Sequence, residues 1–558
     1  MTGIVIQARM GSTRLPGKVL MPIGSKKLLE HILDRLNMLR AENCKVVVAT
    51  TLQEKDDAIV NLCREKDVAC FRGSENNVLE RYWMCAQQYG FEDVVRLTAD
   101  NPFTDMEEVE RLIAMHRANG ADYSYSYTEL PMGVGVEILS RGALERSMQL
   151  AYKENHFEHV DDYIVEHMDQ FHCCKLSIAP EKIHPEVRLT VDTVEDYKRA
   201  CYIAEHASQD IFSTTEAIRL AREWESSPCY AICLESSHER GMGHLFRGIN
   251  LYHYLERQSE RSVVLINEDP HAIDILTRNR VPYEGIDFTD MRSNWEKSLI
   301  EKYHVKVWLN DKLQTDRRLY EHVKENPCVV LCAIDEESEN ADLLDIHFAS
   351  TTFRSDLIPG GKKVYRGTEY LVLNEEIKKY QHIRTRADRV IVSLGGSDTY
   401  GVTVKVLKLL KQKHIKADIV TGPSFEHKNE LAEELTEDYR VYHNVPSLIE
   451  MLSEYDVAIT GGGMTCLEAA ALGIPCIIVA NEDFEITTAQ YMENIGCAVF
   501  AGFHEEIDAG KFDIAQLEIE RMSRAALNHV TLDGAKYIYE KIQEHIKNVG
   551  GSRQWMIN

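Results

Sequence analysis

The sequence predicts an α/β protein, an N-terminal Rossmann-like domain followed by a module of two further Rossmann-like lobes. Short β-rich runs alternate with amphipathic stretches at helical spacing, the signature of a parallel sheet covered on both faces. The pattern restarts twice, at CYAICL from 229 and at DRVIVSLGGSD over 388–398. Length and composition agree: 558 residues suit three or four folding units, and 44% hydrophobic residues are enough for several cores.

Along the first domain, GIVIQA (3–8) reads as a strand followed by a loop and then a helix in KKLLEHILDRLNML, whose Leu28, Leu29, Ile32, Leu33 and Leu36 share one face. KVVVAT (45–50), CFRG (70–73) and DVVRLTAD (93–100) read as strands, and RLTV before Asp192 as another β-rich run. A helix from about Asp56 and one in NNVLERYWMCAQQYG fill the gaps. The pattern breaks near REWESSP (222–228), and in the second half a boundary falls between about 365 and 388. The expected domains are therefore 1–225, 229–375 and 385–548.

Composition excludes several classes of function. A net charge of -26 argues against nonspecific binding to nucleic acid or to an anionic membrane, so an anionic substrate must be met by local cations, a metal or helix termini. No stretch approaches the ~20 apolar residues that span a bilayer, and the opening GIVI has no cleavage-site pattern after it, so a cytoplasmic location is expected. The 14 cysteines include no C-x-x-C pair and read as free thiols.

QARMGSTRLPGK (7–18) carries the first candidate site. It resembles a phosphate loop but has five residues between Gly11 and Gly17, and Val19 stands where a P-loop has its metal-binding hydroxyl. In a doubly wound sheet, ligands sit at the carboxyl ends of the strands, where this loop falls. Its cations would meet a triphosphate and its glycines would let backbone N–H groups approach it; a solvated basic loop is the plain alternative. Asp100 ends one β-rich run and Asp192 follows another. The sheet edge can bring both carboxylates to one magnesium ion, or each simply caps the turn or helix after it.

QARMGSTRLPGKVL, FRGSENNVLERY, RLTADNPFTD, EHVDDYI and RLTVDTVEDY, in that order, resemble the sugar-acid cytidylyltransferase family, in particular its spore-coat polysaccharide branch, over about residues 1–220. The resemblance implies a nucleotidyltransferase domain that transfers CMP from CTP to a nonulosonic acid, a sialic-acid-like sugar, and releases pyrophosphate. It implies that Arg9, Gly11, Ser12, Arg14 and Lys18 hold the triphosphate, with Arg9 and Lys18 acting in catalysis, and that Asp100 and Asp192 hold Mg2+. Thr50 and Arg72, at predicted strand ends, are candidates for cytosine or ribose, and Gly135, Glu137 and His159 for the sugar acid. Asn101 departs from the Cys common in that family.

The second candidate site starts at SSHERGMGHLFRG, where Gly241, Gly243 and His244 lie between a strand and a helix and Arg247 follows one turn later. A helix N-terminus suits a diphosphate, and a His there can act as a base or be structural. In ITGGGMTCLEAAALG, Gly462 and Gly463 let a ligand approach the backbone, Met464 and Thr465 open a helix, and Glu468 is placed for ribose hydroxyls. Gly395, Gly396 and Ser397 supply another turn in the same lobe.

GMGH, SLGGSD and GGGMTCLEAAALG together resemble the UDP-sugar hydrolase of the pseudaminic acid pathway, of glycosyltransferase-B-like fold, over roughly 229–545. That implies water attack on a UDP-2,4-diacetamido-2,4,6-trideoxyhexose with His244 as base, Asp311 matching the family's aspartate, Asn481 and Asp335 retained, and Gly243, Arg247, Asp311 and Asn481 among the UDP-sugar contacts together with the glycine turns, Met464, Thr465 and Glu468. Leu313 stands where a tyrosine is expected, so the second half is alternatively a glycosyltransferase or a non-catalytic UDP-sugar sensor. Together the halves imply a bifunctional enzyme of pseudaminic- or legionaminic-type acid biosynthesis, working with a separate nonulosonate synthase and with neither nucleic acid nor membrane; a homodimer is left open.

Overall fold

The computed structural model describes residues 1–550 apart from 237–242, 291, 352–359, 396–397, 423–424, 444 and 446, and without the side chains of Phe484, Val549 and Gly550. The chain divides into two compact units, Met1–Ser227 and Pro228–Asn558.

The first unit is built on a seven-stranded sheet. Its order is Ala69–Gly73, Cys44–Thr51, Thr2–Gln7, Asp93–Thr98, Glu137–Ser140, Tyr123–Tyr125 and Cys173–Lys175. The first four strands are parallel in the third-second-first-fourth order of a Rossmann sheet, and Glu137–Ser140 then runs antiparallel beside Asp93–Thr98. One face buries Leu29, Ile32, Leu112 and Ile203, the other Leu79, Tyr82, Leu144 and Ile164, so helices cover both sides.

The helix expected in KKLLEHILDRLNML spans Leu28–Leu36, with Lys26–Lys27 spent on a short strand instead. The helix in NNVLERYWMCAQQYG runs Val78–Tyr89, capped by the Asn77 side chain and closed by left-handed Gly90. The β-rich run RLTV does not form a strand. Only an isolated bridge, Met132 to Arg188, forms there, because Thr193 and Asp196 make a capping box that starts the helix Val194–His206 directly after Asp192.

The second unit holds two seven-stranded sheets. In the first, Cys229–Leu234 lies between Arg261–Asn267 and Val305–Asp311, all parallel. In the second, Val390–Ser393 lies between Ala417–Thr421 and Val457–Thr460, again parallel. Both repeat the third-second-first-fourth order. The last helix, Gly534–Gly550, was grouped by sequence with the second lobe; its Ala535, Ile538 and Ile542 pack instead into the core of the first. Among the described residues no helix is long and apolar enough to cross a membrane.

Candidate active sites

At the carboxyl edge of the first sheet, loop 8–17 follows the first strand and Asp100 lies two residues past the end of the fourth. The Asp100 carbonyl accepts the Val191 N–H at 2.8 Å, which carries Asp192 to the same place. Between the two carboxylates sits Lys18, its Nζ 2.8 Å from an oxygen of each and 2.9 Å from the Val191 carbonyl. Arg188 holds the other Asp192 oxygen at 2.7 Å and Arg14 stands 3.5 Å from the first. Burial raises the Asp192 pKa, but Lys18, Arg14 and Arg188 outweigh it and the carboxyl lies below the ordinary range.

The loop is anchored by a residue that the sequence did not single out. Asp56, fully buried, accepts the Met10 N–H at 2.7 Å and the Thr51 hydroxyl. Ser12 Oγ accepts the Leu15 N–H at 3.2 Å, closing the turn, and Gly17 takes the left-handed φ of 72° that favours glycine. A Cβ on Gly11 would lie 2.9 Å from Lys55 Nζ. Arg9 is exposed.

Thr50 is wholly buried at the end of its strand, its hydroxyl unpartnered among the described residues. Arg72 is taken up by the loop beside it, donating to the Thr51 and Gln53 carbonyls and to Asp57, so it braces that loop rather than presenting a guanidinium to a ligand.

Next to the carboxylates lies a polar cavity of about 290 Å³ lined by Arg96, Asn101, Tyr127, Gly135, Glu137 and Asp161, among others. Gly135 and Glu137 are where the sequence put them; a Cβ on Gly135 would come within 2.5 Å of the Tyr127 backbone. His159 is exposed and does not line the cavity; Asp161, two residues on in the same motif, does. Arg96 bonds Glu137 and stands 3.6 Å from Asp161. Burial, reinforced by Asp161, outweighs Arg96 and pushes the Glu137 carboxyl up to about 7. Asn101, the departure from the family pattern, also faces this cavity.

Metal binding can be judged from the donor set. Two carboxylates that already reach one ammonium can reach one small cation, and magnesium takes one or two carboxylates and completes its shell from phosphate and water. The residues fit. Among the described residues no cluster of three or more His, Cys, Asp or Glu forms a fuller cage.

In the second unit, His244 lies in the first turn of the helix Gly243–Arg257 and Asp311 ends the fourth strand of the first lobe, so they meet where the strand order reverses. His244 Nδ1 is 2.8 Å from Asp311 Oδ1. Burial raises the Asp311 pKa, but Arg247 and His244 overcome it and hold it at about 2. Asp311 is thus an acceptor only, and Nδ1 is the ring nitrogen that faces it.

Arg247 and Asp311 were expected to contact the UDP-sugar. Both are buried, at 6% and 0% exposure, and Arg247 spends its donors on Asp311 and Asp335, so neither presents a free group to a ligand. Leu313 is exposed.

In the second lobe, Gly462 and Gly463 precede the helix Met464–Ala471, and a Cβ on Gly243 would lie 3.9 Å from Met464, so the two glycine turns face each other within this unit. Met464 and Thr465, in the helix's first turn, and Glu468 are half-buried, and burial pushes the Glu468 carboxyl up to about 7. Asn481 donates to the Leu394 carbonyl at 3.1 Å and leaves a buried acceptor oxygen unpartnered among the described residues. Gly395 has φ 92°; Gly241, Gly396 and Ser397 lie outside the described residues. Glu485, missed in the sequence, underlies the turn: its carboxylate accepts from Asn481 N and Gly462 N.

A cationic loop facing paired carboxylates at the switch point of a Rossmann-type sheet makes the first unit a nucleotidyltransferase-type α/β domain. Residues 3–219 match the cytidylyltransferase family model, and residues 390–501 match that of the glycosyltransferase family 28 C-terminal domain. The spore coat polysaccharide biosynthesis protein SpsF of Bacillus subtilis (strain 168) is 37% identical over 223 residues, 39% of this chain and 92% of that protein. The chain belongs to the cytidylyltransferase family through its first unit.

The 3-deoxy-manno-octulosonate cytidylyltransferase of Methylococcus capsulatus is 37% identical over 105 residues, 18% of this chain and 39% of that protein. The spore coat polysaccharide biosynthesis protein SpsG of B. subtilis is 24% identical over 157 residues, 26% of this chain and 46% of that protein. The second unit has the two-lobed, glycosyltransferase-B-like architecture. Its family match favours the glycosyltransferase alternative over the hydrolase expectation.

Proposed function

We propose that the first unit transfers CMP from CTP to a nonulosonic acid of the pseudaminic or legionaminic type. The observation that carries this reading is Lys18 set between Asp100 and Asp192 beside the polar cavity. The anomeric hydroxyl oxygen bonds to the α-phosphorus and the bond from that phosphorus to the bridging oxygen breaks. Pyrophosphate leaves with the electron pair, and the hydroxyl proton passes to solvent. Arg9, Arg14 and Lys18 bind the triphosphate and stabilise the charge growing on pyrophosphate, which is most of what such a reaction requires. Mg2+, when bound, would be held by Asp100 and Asp192 and would neutralise phosphate charge.

The cavity seats the sugar, with Glu137 and Arg96 orienting it. A separate synthase would supply the acid. A panel of nonulosonic acids incubated with CTP and magnesium tests the reading: pyrophosphate released in step with CMP-sugar is expected. No release with any acid overturns it.

For the second unit we infer UDP-sugar-dependent glycosyl transfer, supported by the family match over 390–501 and by the His244–Asp311 pair. His244 Nε2 takes the proton of an acceptor hydroxyl, whose oxygen bonds to the anomeric carbon as UDP leaves with the electrons of the broken C–O bond. The glycine turns and the N–H groups opening the helix at Met464 bind the diphosphate, and Glu468 the ribose. UDP release that requires an acceptor is the expected result. Equal release to water alone would return the unit to the hydrolase reading.

A further inference from the structure

Asp335 stands out twice. It is buried, at 1% exposure, and its φ of 51° places a non-glycine residue in the left-handed region, which persists only where the surroundings enforce it. Its carboxylate accepts four hydrogen bonds: Ser350 N–H at 2.6 Å and Thr351 N–H at 2.9 Å on one oxygen, Ser350 Oγ–H at 2.8 Å and Arg247 at 2.7 Å on the other. The Asp335 N–H donates to the Phe348 carbonyl at 2.8 Å. The residue is therefore pinned from both sides to the end of the strand Ile346–Ala349.

Arg247 is the other half of the arrangement. Its guanidinium forks across both oxygens of Asp311 and reaches Asp335 with the remaining arm, while one nitrogen comes 3.2 Å from His244 Nδ1. Asp311 Oδ1 thus serves two donors, the imidazole N–H and the guanidinium. With Arg247 held by Asp335, the carboxylate plane of Asp311 is fixed and the imidazole can donate in one orientation only. A planar, five-donor fork can do this and a lysine cannot.

We propose that Arg247 and Asp335 are positioning residues for the His244–Asp311 pair, Asp335 acting through Arg247, and that they fix which ring nitrogen His244 turns toward the reactants. This rests on reading His244 as the base of the second unit. Both are buried with their polar atoms taken up by protein partners, so neither offers a free group to substrate.

The test uses the full chain labelled with 15N-histidine, the His244 signals identified by their loss in His244→Gln. Asp335→Asn is the informative variant: asparagine tolerates the left-handed backbone and keeps the side chain's shape while its charge is lost. The wild-type protein without substrate is expected to show His244 as a single Nδ1–H tautomer and Asp335→Asn a mixture of the two.

In the same variant, single-turnover UDP release is expected to slow about 10–100-fold, the range of losses on removing groups that orient a functional histidine. UDP affinity, read by calorimetry, should stay within about twofold, because the diphosphate is bound elsewhere in the unit. Arg247→Lys, which keeps charge but not the fork, should share the defect. A single unchanged tautomer in Asp335→Asn, or a wild-type rate, overturns the proposal. Absence of UDP release by the wild-type protein with every acceptor and with water overturns the activity assigned to the unit instead, and leaves the tautomer result standing by itself.

Discussion

Replacing Lys18 by methionine tests the first site directly. The ammonium makes two carboxylate contacts of 2.8 Å, and the side chains of Lys18, Asp192 and Asp100 are only 11%, 19% and 26% exposed. A charge-assisted hydrogen bond contributes about 1.5–3 kcal/mol. Partial solvent screening, with Arg14 and Arg188 still beside Asp192, reduces the combined loss to about 2–3 kcal/mol. For a unit of this size that is a fall of about 5–10 °C in its unfolding temperature.

The two carboxylates are then left facing each other without their cation, so magnesium should gain where lysine was lost. At a hundredfold excess over its dissociation constant, a ligand adds about 2.7 kcal/mol. Calorimetric unfolding of Lys18→Met with and without magnesium should therefore show a metal-dependent gain larger than that of the wild-type protein, with pyrophosphate release down by about 100-fold or more. A variant as stable as wild type, or one whose response to magnesium is no larger, would refute the geometry on which the metal assignment rests.

In the second unit, Gly462→Ala would put a Cβ 2.4 Å from the Glu485 carbonyl oxygen and 2.7 Å from Glu485 Cβ. Neither can swing away, so a loss of about 1–3 kcal/mol and at least tenfold weaker UDP binding are expected by urea unfolding and calorimetry. Asp311 has a folded pKa of about 2, below its ordinary value, so its contribution is complete above about pH 4 and is lost as pH falls toward 2. That contribution is about 2 kcal/mol. Asp311→Asn should destabilise the unit at neutral pH and flatten its acid limb between about pH 4 and 2, followed by Trp308 fluorescence against urea.

Much of both sites was legible because it is local. Loop 8–17 and Asp100 follow strands whose apolar runs are plain in the sequence, and a position just past a parallel strand is at the ligand edge wherever the sheet goes. The cavity was less legible because it depends on pairing between distant segments. Arg96 meets Glu137 across an antiparallel register, Arg96 to Glu137, that no periodicity announces. The same limit explains choosing His159 over Asp161: the motif EHVDDYI was seen, but which of its polar residues turns inward is set by the fold around it. Arg247 was picked out as a ligand contact, and the structure buries it. Its spacing from His244 is sequence information; its burial between two aspartates is not.

The same edge of the same sheet order is used three times, and the charge placed there separates the chemistries. For the proposed binding and splitting of a triphosphate, the first unit sets cations against two carboxylates, and the lysine holds together a site that phosphate and metal would complete. On the proposed reading of the second unit, with a diphosphate leaving and a hydroxyl losing its proton, the first lobe would need a base more than a cation, and among its described residues no free cation stands at that point: Arg247 is buried and neutralised by two aspartates beside His244. The second lobe offers mainly backbone, three glycines braced from beneath by Glu485, and helix N–H groups would suffice for the proposed diphosphate, which is held and not cleaved between its phosphorus atoms. A basic residue introduced at Gly463 would accordingly tighten UDP binding while slowing UDP release, because the added charge favours the product as much as the departing group.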